Sequence, residues 1–135
     1  MPISSIYSKT ITIPSSTIDE NGHVNNVVYV QWMQDIAIEH YASIGGVEAQ
    51  GPDATWVIRK HSIEYFLPAF EGEEIEVRTW VEDLRKVRSL RMYEFVRKSD
   101  GKTLVKGESD WDFMDMKTGS LKAIPERIKK IFIST

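Results

Sequence analysis

The sequence predicts an α+β domain in which one long helix is set among about five antiparallel strands. Three observations carry this prediction. Apolar residues recur at the spacing of one helix face between Tyr29 and Ile44, and Ile75, Val77, Thr79 and Val81 alternate with Glu74, Glu76, Arg78 and Trp80. Pro68, Gly72 and the run Ser99-Asp100-Gly101 then break the second half of the chain into strand-length pieces.

Residues 7–13 place apolar Tyr7, Ile11 and Ile13 between Ser8, Thr10 and Thr12, the pattern of a half-buried strand stopped by Pro14. After the polar stretch 15–26, Tyr29, Trp32, Met33, Ile36, Ala37, Tyr41 and Ile44 mark the helix. Asn25 or Asn26 can cap its start, and Gly45-Gly46 can supply the left-handed residue beyond its end. Val27, Val28, Val30 and Ile38 widen the stripe, so the helix is expected to be enclosed on more than one side. Strands follow at 55–67, 73–82, 87–98 and 102–116. The apolar phase of the first flips between Ile58 and Ile63, which places a bulge near residues 60–62. The short breaks predict a meander of these four strands, joined elsewhere by the first. Pro125 and Glu126 open a short C-terminal helix through Ile128 and Ile131.

A chain of 135 residues fits a single domain, residues 1–135, large enough to bury its own core. No apolar run approaches the roughly 20 residues that span a bilayer, and the N-terminal residues lack a basic segment followed by an apolar one. A cytoplasmic protein without membrane association is the expectation. The absence of cysteine removes disulfides, thiolate metal sites and a Cys nucleophile. A net charge of −3 argues against nucleic acid as a partner.

Chemistry concentrates in Asp19-Glu20-Asn21-Gly22-His23-Val24-Asn25-Asn26, directly before the helix. The first N–H groups of a helix are unpaired and carry the positive end of its dipole, so those around Asn25 and Asn26 can hold a substrate carbonyl and stabilise its oxyanion. A carboxylate just upstream can then direct a water, or itself, at that carbonyl. On physical grounds alone the segment reads equally as a polar turn, a helix cap and a hydrogen-bonded loop histidine.

The run D-E-N-G-H-V-N-N-V-V-Y-V-Q-W closely resembles the signature of hotdog-fold thioesterases, both the 4-hydroxybenzoyl-CoA thioesterase type and the plant acyl-ACP thioesterases. Asp19, Gly22, His23, Val24, Asn25, Asn26, Tyr29 and Trp32 occupy the pattern without a gap. The resemblance extends through residues 63–73, 107–111 and 124–126, nearly the whole chain. It implies a hotdog fold, a sheet wrapped around one central helix, and hydrolysis of an acyl-CoA or acyl-carrier-protein thioester to the free acid and thiol. Asp19 is matched to the catalytic carboxylate, and Asn21 and His23 to residues implicated beside it in the acyl-ACP branch. Gln34 stands where many bacterial members carry a helix Glu, and Thr17 where some carry a first Asp.

Other residues admit two readings each. Tyr29, Trp32 and Met33 either wall an acyl pocket or simply pack the core. Arg85, Lys86, Arg88 and Arg91 either hold the phosphates of CoA or form a solvated hairpin tip. His61 and Glu64 fall on opposite strand faces, and no metal or other cofactor is implied. The competing functions are a hotdog dehydratase or hydratase, whose differently arranged motifs are missing, and a non-catalytic acyl-CoA-binding protein, against which an intact Asp19 argues. A homodimer or homotetramer is expected, because an isolated unit leaves an open sheet edge and an uncovered catalytic loop.

Overall fold

A computed structural model describes residues 2–134. In chain order the elements are β1 (Tyr7–Thr12), a 3-10 turn (Ser15–Thr17), α1 (Asn26–Ser43), α2 (Gly46–Gln50), β2 (Ala54–Tyr65), β3 (Glu74–Leu84), β4 (Arg88–Arg97), β5 (Thr103–Asp115) and α3 (Glu126–Ile133). The strands form one antiparallel sheet in the order β1-β3-β4-β5-β2. The expected meander therefore holds only for β3, β4 and β5. β2 does not pair with β3. Residues 66–73 form a long connection that carries the chain from one edge of the sheet to β3, leaving β1 and β2 as the two edges. The β2 register shifts between Ile58 and Lys60, slightly before the anticipated bulge.

α1 starts where the caps dictate. The Asn25 side chain accepts a hydrogen bond from the Val27 amide at 3.0 Å, and Gly45 at φ +84° takes the left-handed conformation past the helix end. Instead of a loop, the short α2 follows at once. The first two-thirds of α1 bury Tyr29, Met33, Ile36 and Ala37 against Ile75 and Val77 of β3, Tyr93 and Phe95 of β4 and Val105 of β5. Each of the larger apolar side chains contributes about 1.5–3 kcal/mol through removal from water. Gly107 lets the helix come this close: a Cβ there would lie 2.9 Å from Met33 Cε. A second cluster, Val81, Phe113, Ile128 and Phe132 with Tyr41 and Trp56, closes the C-terminal half of α1 under α3.

The enclosure of α1 is incomplete within one chain. Val27 is 74% exposed and Ile38 62% exposed, because the sheet covers only the side of the helix that faces it. Val57 of β2 and Tyr65, Phe66 and Leu67 at its end are exposed as well. Among the described residues no helix is long and apolar enough to cross a membrane.

Candidate active site

The motif folds as a hairpin clamped to the start of α1. The Asp19 amide donates to the His23 carbonyl at 3.0 Å, and the Gly22 amide to the Asp19 carbonyl at 3.0 Å. Gly22, at φ +82°, supplies the left-handed residue that a three-residue hairpin turn of this kind requires. Flanking the turn, Ile18 and Val24 form an antiparallel bridge. Two further bonds fix the hairpin on the body: the Val24 amide to the Ala69 carbonyl and the Asn25 amide to the Thr17 carbonyl, both at 2.9 Å.

Within this frame Asp19 Oδ1 accepts from the Asn21 amide at 2.9 Å, which fixes the carboxylate's orientation. His23 Nδ1 lies 3.3 Å from the Val24 carbonyl. The two helix-start asparagines divide their tasks. Asn25 is the cap, and its own amide is taken by Thr17. At Asn26 the amide meets no acceptor among the described residues, while the carbonyl accepts from the Tyr65 hydroxyl at 3.0 Å. Hence the donor at the positive end of the helix is the Asn26 N–H.

His23, Asn26, Tyr29 and residues 65–68 line a cavity of about 240 Å³ at this end of the helix. Tyr29 is buried, and burial pushes its hydroxyl up to about 12, so it remains protonated. Its ring meets those of Trp32, Tyr65 and Phe95 edge-on. Trp32 and Met33 line neither this cavity nor the larger one described below; Met33 lies in the core, against Gly107.

The basic cluster is divided by strand alternation. Arg85 is exposed beside Asp83, Lys86 is exposed, and Arg88 pairs with Asp112 at 2.6 Å. Arg91 does not belong with them. It shares the inward parity of Ser89, Tyr93 and Phe95, and only 4% of it is exposed. An arginine at core parity between Ser89 and Tyr93 was visible in the sequence, but its charge grouped it with its surface neighbours.

Arg91 donates from Nη1 to His40 Nδ1 at 2.9 Å and to Thr79 Oγ1 at 3.1 Å. A guanidinium can only donate, so Nδ1 is the unprotonated nitrogen and His40 is neutral. Burial first, and the Arg91 charge second, lower His40 from 6.5 to about 4. In the unfolded chain His40 binds its proton near 6.5, whereas the folded protein resists protonation until about 4. The stabilisation is therefore complete above about pH 6.5 and disappears as the pH falls towards 4, a loss of about 3 kcal/mol. Urea unfolding at pH 7 and pH 4.5 should show this loss in the wild type and a shallower slope in His40→Phe. Equal slopes would exclude His40 as the cause.

Residues 13–132 match the family described as the thioesterase-like superfamily. The chain belongs to that superfamily. A similar protein from Cuphea viscosissima, a chloroplastic acyl-[acyl-carrier-protein] hydrolase, is 26% identical over 121 residues, which are 84% of this chain and 29% of that protein. The chain thus spans less than a third of the curated relative's length. Among solved structures, a 1,4-dihydroxy-2-naphthoyl-CoA thioesterase from Synechocystis superposes with a TM-score of 0.83 at 14% identity, covering 95% of this chain and 96% of that one. A Staphylococcus aureus protein in complex with CoA superposes with a TM-score of 0.86 at 18% identity, covering 97% and 85%. Fold and topology in this thioesterase-like chain are those of the hotdog fold, with α1 as its central helix. Among the described residues there is no group of three or more His, Asp or Glu arranged to hold a metal ion.

Proposed function

We propose that this protein hydrolyses the thioester of an acyl-CoA or acyl-carrier protein, with Asp19 as general base or nucleophile and the Asn26 N–H as oxyanion donor. The observation that carries this reading is the clamped hairpin: hydrogen bonds from Asn25 to Thr17 and from Val24 to Ala69 hold a carboxylate and an unpaired helix-start amide in one rigid segment. Preorganised donors of this kind stabilise the charge that develops on a carbonyl under attack. Asn21 and His23 lie on the same hairpin, Asn21 holding the Asp19 carboxylate by its amide and His23 facing the small cavity. The names of similar proteins, an acyl-[acyl-carrier-protein] hydrolase and a 1,4-dihydroxy-2-naphthoyl-CoA thioesterase, support the same reaction class. Incubation with an enoyl-CoA and with its saturated counterpart tests it. Hydrolysis releases free CoA from both, whereas a hydratase would add water to the enoyl compound alone and release none.

The working unit in this reading is a homodimer formed along β2. That 12-residue edge strand is unpaired on its outer side, and the exposed Val57, Tyr65 and Phe66 lie along or just beyond it. Antiparallel pairing of two copies sets the end of one β2, with its small cavity, beside the start of the other. Residues 55–58 at that start line a second, larger cavity of about 530 Å³. An acyl group entering at one copy's hairpin thus finds room in the other copy.

Arg88 and Arg91 are engaged elsewhere, so the CoA phosphates would fall to Arg85 and Lys86 on the β3–β4 turn. The double substitution Arg85→Ala, Lys86→Ala should raise KM for an acyl-CoA by about 10-fold, leave kcat nearly unchanged, and spare a short acyl-pantetheine thioester. An equal effect on both substrates would assign the two residues to the surface only.

A further inference from the structure

The larger cavity has one property that a plain hydrocarbon pocket would not need. Its wall is built mostly of Ala37, Ile38, Tyr41, Trp56 and Phe132, yet Arg91 also lines it. Arg91 is buried, and its hydrogen-bond partners among the described residues are the neutral His40 and the hydroxyl of Thr79. Among the described residues it forms no ion pair. Burying a guanidinium without an opposite charge is costly, and a fold without use for it would gain from an apolar residue there. Arg91 has five N–H donors, and two bonds from Nη1 leave most of them for a ligand. Trp56 Nε1 and Tyr41 Oη, on the same wall, are buried beside each other without a well-formed hydrogen bond.

We propose that this cavity selects an apolar acyl group that carries a carboxylate remote from the thioester, and that Arg91 is the residue that receives this carboxylate. The aromatic and aliphatic wall takes the body of the acyl group, and the guanidinium supplies the planar donor pair that matches a carboxylate. Neutral His40 strengthens the arrangement because it holds the guanidinium in place without competing for its charge. Burial and the Arg91 charge keep His40 in that neutral form at neutral pH. Arg91 itself stays cationic there, since burial lowers it only to about 10. A cavity of about 530 Å³ lies within the range of small-molecule sites and admits a chain or a ring.

This inference rests on the thioesterase reading and names its substrate class, so the test separates the two. CoA thioesters are compared in matched pairs with and without the remote carboxylate: linear acyl groups of six to twelve carbons, and benzoyl against 4-carboxybenzoyl. Non-hydrolysable amide analogues of the same pairs are titrated calorimetrically in parallel. The wild type should favour the carboxylated member of at least one pair by about 10- to 100-fold in kcat/KM and in affinity. Arg91→Met should abolish or invert that preference, and Arg91→Lys should retain part of it. A wild type that treats every pair alike, or favours the uncharged members, overturns the proposal. So does a folded Arg91→Met that keeps the preference. Should Arg91→Met fail to fold, the wild-type comparison and Arg91→Lys still decide. Absence of hydrolysis with every thioester would count against the thioesterase reading, and the amide titrations would then judge the cavity alone.

Discussion

Replacing Asp19 by Asn is expected to lower kcat by about 10²- to 10⁴-fold with substrate binding largely retained. The substitution keeps the side chain's size and an oxygen to accept the Asn21 amide, so the hairpin should not move. What it removes is the basic, nucleophilic oxygen. Glu20 is exposed at the tip of the same turn, and Glu20→Gln should change kcat several-fold at most. A folded Asp19→Asn variant that keeps more than about a tenth of the wild-type kcat would remove Asp19 from the catalytic role. Base and nucleophile are separated by single-turnover hydrolysis in ¹⁸O-labelled water, because label enters the Asp19 carboxylate only if Asp19 itself attacked.

The second large effect concerns the β2 edge. Val57→Lys combined with Phe66→Lys places like charges where the start of one β2 would meet the end of the other. Sedimentation should show a dimer for the wild type and a monomer for the double variant. Activity should fall by about 10²-fold or more, since the hairpin of one copy no longer faces the cavity of another and positioning is lost. Both side chains are largely exposed in the single chain, so its melting temperature should change little. A monomeric wild type with full activity at assay concentration would contradict the shared-site arrangement.

Much of this fold was legible because local signals were strong. Asn25 and Gly45 bound α1 by caps that depend on neighbouring residues alone, and the alternation through β3 follows from burial of one sheet face. The strand order was not legible. Residues 66–73 contain Pro68 and Gly72, which read equally well as a hairpin turn and as the longer connection they form. The candidate segment was located from its resemblance, while its hydrogen-bonding detail came from the structure: Asn25 spends its amide on Thr17 and Asn26 does not. Arg91 illustrates the opposite case. Charge alone placed it on the surface with Arg85, Lys86 and Arg88, whereas strand parity placed it inside, and parity decided.

The measurement that bears most directly on the central claim is thiol release. Purified protein is incubated with a panel of short, medium, long, aromatic and carboxylated acyl-CoA thioesters, and liberated CoA is read with a thiol reagent while the free acid is quantified. Stoichiometric release of thiol and acid from at least one of them is the expected result. A folded protein that releases no thiol from any, as CoA or as carrier-protein thioester, would contradict it.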